Sequence, residues 1–400
     1  MCLSNTLMDL KDALADHLKE WGLRRFESDQ AYFQWQRETL PPKDIAELNR
    51  LVQQKQASTG VDEDMAFYDF TATPHILPVL YSQRYDYYLA VGPLVAERIG
   101  GARSILDFGC GVGLLTTFFA RQFPDRSFVG MDRSAVSVAL AQERAAVFGI
   151  NNVRFECLDL QQGRLVGTYD LIIATHALLQ TEQDLGLPSL NWQTFERGKD
   201  PVLQSAFEQR TGLSPRLDRL CAALTPAGRI ITFEKTRLLA RRIPFQRALA
   251  ARGLRLLEPP RPIRYLLVEE VTDDGPLYVL GLGPGQIGLP WDESPEMDAG
   301  HTLDWSSLKH KVVGKDEPLY ENHTASAQRI WKQLPEHRVL KETTRQEPDG
   351  RQMHVELGTI QDFTYLYFAN TFDQRQLVTM DSARASLLEQ YYQELLYNCP

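Results

Sequence analysis

Residues 105–113, Ile-Leu-Asp-Phe-Gly-Cys-Gly-Val-Gly, constrain this chain more than any other stretch. An apolar run ends in an acid, and glycines at alternate positions lead into the helical pattern of residues 114–122. That order specifies a strand, a tight turn, and a helix whose first N–H groups have no partner within the helix. Glycine at the turn lets a ligand approach the backbone, and the helix N-terminus offers it donors. The pattern then repeats: β-rich runs at 104–108, 127–131, 153–157, 169–174 and 229–233 alternate with helical segments. Such alternation specifies a parallel sheet with helices on its faces, and runs at 254–257 and 277–281 can close it as a hairpin-like pair. The longer gap before residue 229 holds a polar, irregular stretch, 191–215, suited to cover the strand ends.

The turn favours some ligands over others. A dinucleotide fingerprint needs a third glycine at position 114 or 116, where this chain has Leu114 and Thr116. Asp107 would repel a pyrophosphate but would accept hydrogen bonds from an α-ammonium group. The next strand ends at Asp132, which can accept from both hydroxyls of a ribose. The third ends at Cys157-Leu158-Asp159-Leu160, where Asp159 can take an adenine amine while Leu160 covers the ring. Amino acid, ribose and adenine would then be read at successive strand ends.

With these residues in order, residues 81–283 resemble the class I S-adenosylmethionine-dependent methyltransferases. Asp107, Gly109, Gly111 and Gly113 match the family's first motif, Asp132 its ribose ligand and Asp159 its adenine contact. Tyr169-Asp170-Leu171-Ile172-Ile173-Ala174 matches its fourth strand, and Leu224-Thr225-Pro226-Ala227-Gly228-Arg229 resembles the turn before the fifth. The resemblance implies an α/β fold: a Rossmann-like seven-stranded methyltransferase sheet, here with an N-terminal helical cap and a small C-terminal α+β domain. It implies S-adenosyl-L-methionine as cofactor, with Arg133, Leu160, Thr175, Tyr81 and Tyr85 joining the motif residues around it. No metal is implied.

In such a fold the acceptor lies near the segment after the fourth strand, Thr175-His176-Ala177-Leu178. The Asn/Asp-Pro-Pro-aromatic pattern that this family uses on amide and base nitrogens is absent, which disfavours those acceptors. His176 titrates near working pH and suits a general base for a hydroxyl or amine; a buried histidine with backbone partners explains it equally well. Tyr81, Tyr85 and Tyr88 recur at helical spacing, so they either line the sulfonium pocket or pack as an ordinary helix core. Residues 229–264 hold ten Arg or Lys against two Glu; RNA, an acidic substrate and a solvated helix face compete, and the lack of aromatic interleaving favours the last.

The flanks complete three expected domains: a helical region at 1–64, the cofactor-binding domain at 65–284 and an α+β unit at 301–400. Leu7, Leu10, Leu14 and Leu18 share a helix face, Ser28 is placed to cap a second helix, and Pro41-Pro42 stops it. This region reads as a packing appendage, with a polar linker at 53–64. Prolines and glycines between 281 and 300 mark a boundary. Beyond it come a helix at 325–333, alternating runs at 338–344, 352–357, 364–369 and 374–380, a turn at Pro348-Asp349-Gly350 and a last helix at 382–396.

A net charge of −9 in 400 residues argues against coating nucleic acid or an anionic membrane, and no apolar run reaches membrane length. The five cysteines, Cys2, Cys110, Cys157, Cys221 and Cys399, form no Cys-x-x-Cys pair. We therefore expect a cytoplasmic enzyme acting on a small organic molecule at oxygen or nitrogen, with no membrane or nucleic-acid partner and with a homodimer as its assembly. The alternatives are an enzyme that uses S-adenosylmethionine without methyl transfer, by cyclisation or aminocarboxypropyl transfer, and an RNA methyltransferase.

Overall fold

The computed structural model describes residues 2–57, 61–179, 184–282, 289–291, 303, 308, 310, 311, 313, 314, 317–347 and 351–398. Most of the boundary stretch at 281–300 and the turn Pro348-Asp349-Gly350 lie outside them. The chain divides into two compact units, Met1–Asp184 with Glu208–Arg237 and Phe245–Trp291, and Leu185–Phe207 with Leu238–Pro244 and Asp292–Pro400.

The first unit opens with six helices: α1 (Cys2–Glu20), α2 (Asp29–Thr39), α3 (Pro42–Ala57), α4 (Val61–Thr71), α5 (Leu77–Ser82) and α6 (Tyr85–Ile99). Ser28 caps α2 as expected, its Oγ accepting the Ala31 N–H at 3.2 Å. Alternation follows: β1 (Ser104–Phe108), α7 (Leu114–Gln122), β2 (Ser127–Asp132), α8 (Ala135–Val147), β3 (Val153–Cys157) and β4 (Tyr169–Thr175). Then come α9 (Pro201–Arg210), α10 (Leu213–Ala222), β5 (Leu224–Phe233), α11 (Leu239–Ala251), β6 (Leu254–Leu256), β7 (Arg261–Leu267) and β8 (Glu270–Leu282). The sheet runs β3-β2-β1-β4-β5-β8-β6, with β7 paired to β8. β1 to β5 are parallel and β8 is antiparallel to β5. The strand order turns back between β1 and β4, which opens a crevice at their C-terminal ends.

Two expectations change here. The sheet has eight strands, not seven, because β8 is long enough to pair with β5 through Leu277–Gly281 and with β7 through its earlier half. Gly275, at φ +122°, pairs with Ile263 two residues before β8 begins to pair with β5, beside a register shift between Ile263 and Arg264. Nor is the N-terminal region an appendage. Leu14 and Leu18 of α1 and Trp21 just after it are buried in the same core as Ile105, Phe118 and Phe128. His17 is buried with them, its Nε2 accepting the Trp21 indole N–H at 3.1 Å, and burial pulls its pKa down to about 4.

The helix within the basic stretch is not a solvated face either, although Arg255, Arg261 and Arg264 beyond it are exposed. Arg241 and Arg242 are buried, and Arg252 pairs with Glu208 at 3.1 Å and Asp218 at 2.6 Å.

In the second unit, β9 (Tyr320–Asn322), α12 (Ser326–Lys332), β10 (Arg338–Gln346), β11 (Gln352–Ile360), β12 (Phe363–Asn370), β13 (Arg375–Asp381), a 3-10 turn (Ser382–Arg384) and α13 (Ala385–Asn398) follow one another. The antiparallel order is β10-β11-β12-β13-β9, with β9 the strand that the sequence reading missed. One face packs Val355, Leu366 and Val378 against Leu388 and Tyr392 of α13. The other packs Tyr365, Tyr367 and Leu377 against α12 and Trp192. Trp192 comes from the gap before β5 and stacks on His354 with centroids 3.7 Å apart. Nearby, Ser189 donates to the Thr371 carbonyl at 2.8 Å, and both Arg197 and the Ala240 N–H reach the Asp373 carboxylate. Residues 185–207 and 238–244 thus complete this unit, where the sequence suggested that 191–215 covers strand ends and that 301–400 stands alone.

Candidate functional site

The turn after β1 holds Gly109, Gly111 and Gly113 at φ +72°, +53° and +76°. They are glycines for different reasons. A Cβ on Gly109 would lie 2.4 Å from the Ala177 Cβ, and one on Gly113 would lie 2.7 Å from the Phe155 ring. A Cβ on Gly111 would meet nothing nearer than the Tyr81 hydroxyl at 4.0 Å. Packing demands two of these glycines; the third leaves open room beside Tyr81.

Asp132 borders that room, and Asp107 and Asp159 stand at the neighbouring strand ends. Asp107 is 5% exposed and accepts from Thr116 Oγ1 at 2.5 Å; burial lifts its pKa to about 7 despite that hydrogen bond. Asp132 accepts the Gly111 N–H at 2.8 Å on one oxygen and the Ser134 N–H at 2.9 Å on the other, so it fixes both the turn and the start of α8. Burial raises its pKa too. Ser134 caps α8 and donates to Asp69 on α4 at 2.6 Å, a partner that no sequence motif flagged. Arg133 is half-buried beside Asp132. After β3, Asp159 accepts the Gln161 N–H at 2.8 Å and is half-buried, while Leu160 is buried.

These groups fit the cofactor that the motif implies. Asp107 is a buried carboxylate with a single hydroxyl donor, an environment that a ligand ammonium would relieve. Asp132 and Asp159 each retain lone pairs beyond those used by the backbone.

The segment after β4 is locked from two sides. Glu234, at the end of β5, accepts the Ala177 N–H at 2.9 Å, the Leu178 N–H at 2.8 Å and the Leu179 N–H at 3.4 Å. Arg216 of α10 donates to the Leu178 carbonyl at 2.9 Å. Neither residue was found from sequence; the acid closing the β5 run was the available signal. Thr175 hydrogen-bonds the Tyr87 hydroxyl.

His176 takes φ +54° and lies between Tyr87 and Phe233, each ring centroid 5.1 Å away. Arg84 Nη2 lies 3.0 Å from its Nδ1, and Asp274 Oδ2 lies 3.1 Å from its Nε2. Arginine can only donate, so Nδ1 is the acceptor and Nε2 carries the proton. Burial lowers the His176 pKa to about 4, and Arg84 adds to this against the pull of Asp274. Burial alone would raise Asp274, but hydrogen bonds from His176 and Tyr265 hold it down, so at pH 7 the pair is neutral imidazole and carboxylate. In this arrangement neither ring nitrogen of His176 offers a free lone pair.

The tyrosines separate. Tyr81 ends α5, stacks on Tyr88 at 6.5 Å and faces the turn at Gly111. Tyr85, expected beside the cofactor, is in the core with α1, its charged neighbours being Lys19 and Arg25. The break between α5 and α6 at Gln83-Arg84 takes it off the Tyr81 face. Tyr87, Tyr265 and Arg84 occupy the His176 side instead.

Residues 105–187 match a family model described as a methyltransferase domain. Over 82 residues the chain is 38% identical to a malonyl-[acyl-carrier protein] O-methyltransferase of Acetivibrio thermocellus, covering 20% of this chain and 28% of that protein. It is 36% identical over 94 residues to a trans-aconitate 2-methyltransferase of Deinococcus radiodurans, covering 24% and 34%. It is 28% identical over 136 residues to a tRNA (guanine-N(7)-)-methyltransferase of Rubrobacter xylanophilus, covering 34% and 52%. The chain thus spans between 28% and 52% of the length of these relatives.

Proposed function

We propose that this chain, whose domain belongs to the class I S-adenosylmethionine-dependent methyltransferases, transfers a methyl group to an oxygen or nitrogen of a small organic molecule. The observation that carries this reading is the open room at Gly111, bordered by Tyr81 and Asp132, with the buried Asp107 on the strand that leads into the turn. Asp107 would hold the cofactor's ammonium, Asp132 its ribose, and Asp159 with Leu160 its adenine. When bound, the cofactor supplies an activated methyl group on a sulfonium whose leaving thioether is neutral. The protein's own task is then alignment and exclusion of water, and the locked 176–179 segment gives the acceptor side a rigid wall. The missing Asn/Asp-Pro-Pro pattern disfavours an amide or base nitrogen, while relatives named for malonyl-[acyl-carrier protein] and trans-aconitate stand beside one named for a tRNA guanine. No described helix is long and apolar enough to cross a membrane.

Calorimetry with S-adenosylmethionine and S-adenosylhomocysteine tests the reading. The wild type should bind both, and Asp132→Ala should weaken them by about 1–3 kcal/mol through loss of a charge-assisted acceptor. Equal affinity in that variant would move the ribose away from Asp132. Methylthioadenosine formed from cofactor alone would replace methyl transfer by another use of the same cofactor.

A further inference from the structure

Arg84 sits at the junction of α5 and α6, two positions after Ser82 and one before Tyr85, with its guanidinium 4.9 Å from the Tyr87 ring centroid. The same junction presents Tyr81 to the glycine turn and Arg84 to His176. Guanidinium carries five N–H donors, and its in-plane edge suits a carboxylate in a two-pronged contact. Here the acceptor it meets is a neutral imidazole nitrogen. Among the described residues no carboxylate pairs with Arg84; Asp274 lies across the imidazole on Nε2 and is shared with Tyr265. The other faces of the cluster are aromatic: Tyr87 from α6, Phe233 from β5 and Tyr265 from β7. Lys235 adds positive charge, Tyr88 and Tyr68 are further titratable neighbours of Arg84, and Glu234 acts on Tyr87. A half-buried cation with a neutral partner beside the expected acceptor position is a site prepared for an anion.

We propose that Arg84 anchors a carboxylate of the methyl acceptor, and that this re-pairing frees His176 Nδ1 to take the acceptor's proton. The inference rests on the methyltransferase reading and names the acceptor class within it: an acid that also carries a hydroxyl or amine. Without the acceptor, Arg84 occupies the Nδ1 lone pair, which keeps the base idle. With the carboxylate bound, the guanidinium turns to it, its charge is compensated, and Asp274 supports the imidazolium that forms. The acceptor's O–H or N–H proton passes to Nδ1, the bond from that oxygen or nitrogen to the methyl carbon forms, and the pair of the broken S–CH3 bond stays on sulfur. Arg84 is therefore a binding residue and Asp274 a positioning residue for His176.

The test uses the full chain saturated with S-adenosylhomocysteine and three probes: malonate, its neutral counterpart malonamide, and inorganic phosphate. Malonate should bind the wild type, at least tenfold more weakly to Arg84→Gln and with intermediate affinity to Arg84→Lys; malonamide should not bind. Nitrogen NMR of His176 should show its pKa rising by a unit or more with malonate. S-adenosylhomocysteine affinity should stay within about threefold in both variants, which also shows that they fold. Malonate binding that is absent, or equal in Arg84→Gln, while S-adenosylhomocysteine still binds, would overturn the inference alone. Phosphate binding better than malonate would overturn the carboxylate assignment. Failure of the wild type to bind S-adenosylhomocysteine would overturn the methyltransferase reading and this inference with it.

Discussion

At the residue scale, the three glycines of the turn look equivalent in sequence and are not equivalent in space. Gly113→Ala forces a Cβ to 2.7 Å from Phe155 in a left-handed conformation, so we expect a loss of several kcal/mol of stability, read from the denaturant midpoint. Gly111→Ala meets only the left-handed cost, about 1 kcal/mol, and should fold while losing cofactor affinity at least tenfold. Asp107 carries the opposite tension. Its folded pKa, about 7, stands above the ordinary carboxylate value, so the folded state binds more protons than the unfolded chain between about pH 4 and 7, and stability falls as pH rises through that window. Asp107→Asn should therefore raise the melting temperature at pH 8 while weakening cofactor binding. In the wild type, affinity should tighten from pH 6 to pH 8, because an ammonium prefers the ionised carboxylate; a flat profile would remove Asp107 from the ammonium.

At the element scale, β7 was hidden because Pro262 and Arg264 break its apolar run, leaving Ile263 and Tyr265 as its only inward positions. That hairpin brings Asp274 and Tyr265 to His176. Gly275→Ala would press a Cβ to 2.9 Å from Thr236 Oγ1 and 3.0 Å from the Arg237 nitrogen. We expect it to cost about 1–3 kcal/mol and to shift the His176 NMR signal, since Asp274 precedes it. The second sheet ends in an edge strand, β10. β10 is exposed along almost its whole length, but it carries Arg338, Lys341, Glu342 and Arg345 and a register shift between Val339 and Lys341. Charges and bulges on an edge discourage pairing with another copy.

At the scale of the whole molecule, the second unit is assembled from three stretches of chain, so its boundary in space is not a boundary in sequence. A chain cut after residue 291 would keep Trp192 and Arg197 but lose His354, Tyr367 and Asp373, their partners within that unit. We expect this truncation to bind hydrophobic dyes and aggregate; a monodisperse product with unchanged cofactor affinity would show that residues 185–207 need no sheet beneath them. Losing the Trp192 side chain alone, in Trp192→Ala, should cost about 3–5 kcal/mol in the unfolding transition of that unit.

The sequence by itself determined the β1–α7 turn, the order of the first five strands and the acids at three strand ends. Those features are local: a strand, a glycine turn and a helix start are specified by neighbours within about ten residues, and the motif spacing carries the rest. Tertiary structure alone decided which glycine faces open room, that Tyr85 belongs to the core while Arg84 meets His176, and that Glu234 holds the loop after β4. Each of these depends on pairings between residues some thirty to a hundred positions apart, as Gly111 with Tyr81, Ala177 with Glu234 or Arg84 with His176. Side-chain periodicity says which face of an element is apolar; it does not say which distant element arrives there.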